Sequence, residues 1–320
     1  MNQTVFLFSG QGSQYVGMGK KLFENYDEVK ETFQTADKTL GFSLSDLCFS
    51  GNIQELTSTE NAQPAILTLS IAQFNLFQKR VALRPSFLAG HSLGEITALT
   101  VAGVIEFSDA LQIVRKRGQL MSETMSESKG SMSAISGVSI EMIEKVCIRC
   151  SNYDQIVVIS NFNSPNQIVI SGDEKAVKDA GQLLQESGAT VIPLRVSAPF
   201  HSPLMKSAAE KFKKYLNNFN YYPLDFPVIS NVTAKPYNNR FEVINTLAEQ
   251  MVSPVQWTQT VRFLSEHDIK LAIEFGPQSI LTNLMKQQYN EAESIAFDNN
   301  FEDVSFMQKI QQARGNLSLK

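Results

Sequence analysis

Cysteine and histidine are scarce in this sequence, with three of each in 320 residues. An odd cysteine count argues against a disulfide framework and fits a reducing compartment, so a cytoplasmic protein is expected. Cys147 and Cys150 have CxxC spacing in "CIRC". No second such pair and no histidine pair follows, which argues against zinc. The pair also sits in a charged, helix-like run rather than after a strand, which weakens a redox reading. Long apolar runs are missing: nothing approaches the roughly 18 residues of a membrane helix. The N-terminus lacks a basic region, and "VFLF" is too short for a signal peptide. Excess positive charge is absent too. A net charge of −4 argues against a general nucleic-acid binder, which needs a basic face to displace counterions. The local clusters Arg115–Lys116–Arg117 and Lys206 to Lys214 read as solvated helix faces.

What is present is a globular composition, 43% hydrophobic and 19% charged, enough for one large domain or a large and a small one. No repeat or low-complexity tract interrupts it. Apolar runs predict strands at 4–8, 85–89, 228–231 and 271–274, alternating with helices at 20–38, 64–78, 95–101, 108–125, 206–216 and 243–250. Pro64 is expected in the first turn of its helix, and Ser108 as an N-cap. That alternation predicts an α/β-hydrolase-like large domain with a mostly parallel sheet. Near Ser126 the chain turns small and polar, as a crossing between domains would. Beyond it, strands and helices at 132–196 follow the order β-α-β-β-α-β, which predicts an inserted ferredoxin-like small domain. The expected division is 1–127 with 198–320 for the large domain and 128–197 for the small one.

"GHSLG" at 90–94 lies between an apparent strand and an apparent helix. A strand turning sharply into a helix lifts the central serine clear of the sheet and aims free helix N–H groups at it, so Ser92 is the candidate nucleophile. A serine needs a base. His91 adjoins Ser92 on the turn and is expected to pack beneath it, and His267 in "SEHDIK" reads as an exposed helix end. His201 in "SAPFHSP" remains, held by Pro199 and Pro203 in a stiff loop, although a plain loop histidine fits this context equally. The glycine-rich loop "GQGSQYVGMGKK" fails both as a phosphate loop and as GxGxxG, yet its backbone N–H groups suit an oxyanion.

Six runs then line up in order: "FSGQGSQYVGMG", "QPAILTLSIA", "GHSLGEITALTVAGVIEFSDALQIVRKRGQLM", "NFNSPNQIVISG", "VSAPFHSPLM" and "SPVQWTQTV…EFGPQSIL". Together, from about residue 4 to about residue 300, they resemble the malonyl-CoA:acyl carrier protein transacylases, a group that includes the acyltransferases of fatty acid and polyketide synthases. The resemblance implies that Ser92 is the nucleophile and His201 its base. It implies that Gln250, near "PVQW", orients the histidine, in place of the acid of a usual triad. Backbone N–H groups of Gln11 and Leu93 would form the oxyanion hole. Arg117 would hold the substrate's free carboxylate, although its spacing alone reads as a surface residue. Gln63, Asn161 and Asn163 match polar positions at the cleft. Phe200, before the histidine, goes with malonyl rather than the branched methylmalonyl, since a bulky ring leaves no room for a branch.

The implied chemistry is ping-pong transfer of malonyl from malonyl-CoA to the phosphopantetheine thiol of an acyl carrier protein, with no bound cofactor and no metal. Carrier proteins of this kind are acidic, and Arg115–Lys116 or the lysines from 206 to 214 could dock one. With no condensing or carrier segment read in the chain, the enzyme would act in trans. Ser9, where housekeeping enzymes usually have proline, leans toward a polyketide pathway over fatty acid synthesis. Two alternatives stay open: a hydrolase that clears stalled acyl groups from carriers, which would tend to lose Arg117, and a silent scaffold that only binds carriers.

Overall fold

In the computed structural model, residues 3–127, 130–196, 198–298 and 310 are described. The chain opens with β1 (Thr4–Phe8), then α1 (Lys20–Asn25), α2 (Asp27–Leu40), α3 (Leu44–Ser50), α4 (Ile53–Thr57) and the long α5 (Thr59–Val81). β2 (Phe87–Gly90), α6 (Leu93–Val101) and α7 (Phe107–Glu127) follow. The next unit is β3 (Gly130–Ser136), α8 (Ile140–Cys150), β4 (Val157–Ser164), β5 (Gln167–Asp173), α9 (Glu174–Glu186) and β6 (Thr190–Pro193). The chain closes with α10 (Lys206–Leu216), β7 (Val228–Ile229), α11 (Val243–Gln250), α12 (Trp257–Glu266), β8 (Leu271–Phe275), α13 (Ile280–Gln288) and β9 (Glu293–Ala296).

Five strands form a sheet in the order β7-β2-β1-β8-β9, and every neighbouring pair is parallel. Covered by helices on both faces, parallel strands read as unbroken apolar runs, as "TVFLF" does with all five residues buried. The α5 side of the sheet packs Phe6, Phe8, Phe77 and Phe275 in edge-to-face and stacked pairs. The other side packs Val5, Leu7 and Ala89 against Trp257, Val261 and Leu264 of α12. α5 is buried all round from Asn61 to Gln73, as a central helix should be. The second sheet is antiparallel in the order β4-β5-β3-β6, with α8 and α9 enclosing a core of its own. Its element order is the ferredoxin-like one that the sequence predicts.

Four details differ from the sequence expectations. Pro64 is the sixth residue of α5 rather than a first-turn residue. The helix tolerates it because the carbonyl it frees, Glu60 O, accepts from Arg115 Nη1 at 3.4 Å. Ser108 lies inside α7 rather than capping it, since Ala110 N–H already bonds to Glu106 O at 2.8 Å. The polar stretch that begins at 126 is largely regular structure among the described residues: α7 runs to Glu127 and β3 begins at Gly130. β3 is an inner strand paired on both edges, and Ser133 on it is buried. Finally, the basic run on α7 is not a solvated face. Arg115 stacks 4.6 Å over the Phe42 ring and bonds to Asn61 Oδ1, and Arg117 is 1% exposed. No helix among the described residues is long and apolar enough to cross a membrane.

Candidate functional site

The site is built at the C-terminal ends of the parallel strands. β2 ends at Gly90 and α6 begins at Leu93, so two residues make the whole turn. Ser92 takes φ 52° and ψ −100°, a backbone setting that L-residues avoid. The turn closes only because two glycines flank it. A Cβ on Gly94 would lie 2.0 Å from Phe8 O, and one on Gly90 would lie 2.0 Å from the Gly94 backbone. Both obstacles are backbone and cannot swing aside. Gly94→Ala should therefore cost about 3 kcal/mol of stability and lower Tm by about 5–10 °C. An unchanged thermal melt would contradict this close approach.

Ser92 N–H is tied to Asn231 Oδ1 at 2.6 Å, beyond β7. The Ser92 hydroxyl does not cap α6, which leaves Oγ free for chemistry. It meets two partners: His201 Nε2 at 2.9 Å and Arg117 Nη2 at 3.0 Å. His201 also has positive φ, 58°, in the loop between Pro199 and Pro203. Its Nδ1 lies 2.7 Å from Gln250 O. A carbonyl can only accept, so the proton sits on Nδ1 and Nε2 presents its lone pair to Ser92. Burial and then the Arg117 charge push the His201 pKa down to about 3, so the ring is neutral at ordinary pH. Arg117 reaches the site from α7, donating to Gln63 Oε1 at 3.0 Å and to Gln250 Oε1 at 2.8 Å. Burial draws its pKa down to about 10, which leaves it cationic. Its buried Nε has no hydrogen-bond partner. A buried cation beside a serine hydroxyl offers charge-assisted hydrogen bonds that suit an anion.

Sequence reasoning missed three residues that hold this arrangement. Glu95 is fully buried, and its carboxylate accepts from Asn231 N–H at 2.9 Å, from Gln250 Nε2 at 2.7 Å and from the Tyr237 hydroxyl. Burial raises its pKa, while Tyr237, the Asn231 N–H and Gln250 pull it back down. Asn231 Nδ2 donates to Gly90 O at 2.7 Å, clasping the turn from behind. One signal was available for Glu95: it is the only charged side chain in "LGEITALTV". Asn231 and Tyr237 carried none, because they meet the turn only through the fold.

The other expected residues divide. As the first residue of α6, Leu93 has an N–H with no intrahelical partner, and no described residue accepts from the Gln11 N–H. Gln11 and Phe200 line a cavity of about 310 Å³ together with Arg195, Glu60 and Ser122. Asn161 and Asn163 do not bond to Ser92, His201 or Arg117. Asn161 accepts from Ser160 Oγ at 2.7 Å, and Asn163 Oδ1 lies 2.9 Å from His91 Nε2. His91 leans on Trp257 with ring centroids 5.8 Å apart, beneath the turn as expected, and His267 caps the end of α12. Among the described residues no cluster of three His, Cys, Asp or Glu could hold a metal.

Three comparisons bear on this geometry. The sequence profile described as acyl transferase domain matches residues 5–314. The malonyl CoA-acyl carrier protein transacylase of Bacillus subtilis (strain 168) is 44% identical over 297 residues, 92% of this chain and 93% of that protein. The crystal structure of an acyl carrier protein S-malonyltransferase from Vibrio cholerae is 39% identical with a TM-score of 0.91, covering 96% of this chain and 99% of that one. A type II polyketide synthase acyl-carrier protein in complex with its malonyl-transacylase contains a chain that is also 39% identical, with a TM-score of 0.89 and 92% of this chain covered, against 96% of its own.

Proposed function

Since the chain belongs to the acyl transferase family and is an acyltransferase of the malonyl-CoA:acyl carrier protein transacylase kind, we propose that Ser92 carries malonyl from coenzyme A to the thiol of a carrier protein in a polyketide pathway. In the first half-reaction, His201 Nε2 takes the Ser92 proton as Oγ attacks the thioester carbon. The C–O bond forms, the carbonyl π pair moves onto oxygen, and that oxyanion lies against the N–H groups of Gln11 and Leu93. The intermediate collapses, the C–S bond breaks, and His201 returns the proton to the departing coenzyme A thiolate. In the second half-reaction the carrier's thiol loses its proton to His201, attacks malonyl-Ser92, and the serine leaves with that proton. Throughout, the far carboxylate of malonyl pairs with Arg117.

The observation that carries this reading is the shared Ser92 Oγ, 2.9 Å from His201 Nε2 and 3.0 Å from Arg117 Nη2. A nucleophile, its base and a buried cation within one contact distance suit an acyl group that ends in an anion. A neutral acyl group would displace the serine contact and offer the Arg117 cation no anion in return, leaving it its two glutamine acceptors alone. Phe200, next to His201 in the chain, supports unbranched malonyl over larger acids through the resemblance it carries. Ser9, buried and bonded to Glu274 Oε1 at 3.1 Å, supports the polyketide lean through the resemblance it carries. Exposed Lys206, Lys211, Lys213 and Lys214 supply a basic face for an acidic carrier. The same reading assigns 1–127 and 198–320 to the catalytic domain, 128–197 to the small domain, and the reaction to the cytoplasm.

Intact-protein mass measurement after mixing with malonyl-CoA should show one malonyl adduct that is stable for minutes and absent in Ser92→Ala. Adding a phosphopantetheinylated carrier should discharge it, faster for a polyketide-type than for a fatty-acid-type carrier. Rapid release to water would favour a hydrolase, no adduct would favour a scaffold, and the reverse carrier preference would place the chain in fatty acid synthesis.

A further inference from the structure

Glu95 has no part in the steps above, yet it sits at the centre of the buried polar network behind them. It is the third residue of α6, is fully buried, and its Oε2 accepts from Gln250 Nε2 at 2.7 Å. We propose that Glu95 is a positioning residue that decides which way the Gln250 amide faces, and so aims the Arg117 guanidinium at the acid end of the acyl group.

A glutamine amide has two ends of nearly equal size and opposite hydrogen-bonding sense, and its surroundings choose between them. The nitrogen end of Gln250 faces three acceptors: Glu95 Oε2 at 2.7 Å, Ser92 O at 3.0 Å and Asn231 Oδ1 at 3.4 Å. A carbonyl there would meet oxygen on every side. With the nitrogen end pinned, Oε1 must face the other way, where Arg117 Nη2 donates to it at 2.8 Å. If the amide turned over, an NH2 would point at the guanidinium, donor against donor. Arg117 would then keep Gln63 as its one side-chain acceptor besides the serine hydroxyl, and its Nε already lacks a partner.

Of the three acceptors, Glu95 is the one that a substitution can remove while leaving the turn's own contacts in place. Ser92 O is backbone. Asn231 Oδ1 is the most distant and is already engaged with Ser92 N–H at 2.6 Å. Glu95 Oε2 accepts from the Asn231 N–H at 2.9 Å as well as from Gln250, so a glutamine in its place keeps an oxygen there and turns its NH2 to the Tyr237 hydroxyl, whereas a methionine removes the acceptor and frees the Gln250 amide to turn. The histidine does not share this dependence, because it is held by the Gln250 main-chain carbonyl at 2.7 Å rather than by the amide. Glu95 therefore bears on the group that recognises the substrate's acid and not on the base. This rests on the assignment of Arg117 to the malonyl carboxylate.

The test is Glu95→Met, with malonyl-CoA and acetyl-CoA competing for Ser92 and the two adducts weighed by intact-protein mass. A hydrogen bond to a charged group contributes about 1.5–3 kcal/mol, which converts to about 10- to 100-fold. The malonyl-to-acetyl loading ratio should fall by that factor, with KM for malonyl-CoA rising more than kcat falls. A ratio that stays at the wild-type value, or a loss shared equally by both acyl groups, overturns the proposal and leaves Glu95 a structural residue. If Glu95→Met does not fold, Glu95→Gln carries the test. It keeps an oxygen toward Gln250 and the Asn231 N–H, so its ratio should stay within about threefold of wild type even if both rates drop, and a collapsed ratio would overturn the proposal. Failure of the wild-type protein to prefer malonyl at all would instead count against the function proposed for Arg117.

Discussion

Arg117→Ala should lower kcat/KM for malonyl-CoA by about 10²–10⁴ and reverse the preference between malonyl-CoA and acetyl-CoA. The magnitude follows from removing one partner of a buried ion pair, which costs about 3–5 kcal/mol, at about 1.4 kcal/mol per decade of rate. The reversal follows from geometry. The arginine is 1% exposed, so water cannot replace it, and an acid group brought into the vacated space would be desolvated without a counterion. An acetyl group pays no such penalty. Competition between the two thioesters, read as the masses of the two acyl-serines, decides the matter. A malonyl preference that survives the substitution would show that the acid is recognised elsewhere.

His201→Ala should cut kcat by about 10²–10⁴, the usual contribution of a positioned general base. The pH dependence of the wild-type protein makes a sharper check. With its pKa pushed down to about 3 by burial and Arg117, His201 stays an unprotonated base well below neutrality. The acid limb of kcat/KM for malonyl-CoA should therefore fall far below pH 6.5, where an unperturbed histidine would place it. The stability consequence has a definite sign. The folded-state pKa is depressed, so the unfolded chain binds more protons between pH 6.5 and about 3. Stability is fully present above 6.5 and declines as pH falls through that window. His201→Ala should flatten that decline, as measured by chemical unfolding at pH 7 and pH 4.5. An acid limb near 6.5, or an unchanged slope of stability, would mean that the ring is more exposed than its position implies.

Much of this was readable from the chain. "TVFLF" and "LAIEF" carry the signature of strands buried on both faces, and the period switching from 2 to 3.6 between 130 and 193 marks the second sheet. Ser92, His201 and Arg117 could be named because each lies in a distinctive local run. What local runs could not convey is how distant segments meet. Asn231 clasps the turn from 139 residues away, and Tyr237 reaches Glu95 from 142 residues away. Nothing in "SNVTAKPY" announces either. The strand β9 was missed because "ESIA" is short and half polar, and only its pairing with β8 makes it a strand. Pro64 misled because proline in a helix usually marks the beginning, and the arginine that takes up its orphaned carbonyl is 55 residues from Glu60. The same arginine misled as a surface cation, since its ring partner Phe42 is equally remote in sequence.

The two residues proposed to react share one trait: Ser92 and His201 both hold positive φ, at 52° and 58°. That tension is set when the chain folds, before any thioester arrives, and it is sustained by the sheet ends and by glycines that leave no slack around the turn. Moving this chemistry to another protein would therefore mean grafting two bent stretches of main chain together with their crowded neighbours. A serine and a histidine copied onto relaxed loops at the same spacing would be a different object.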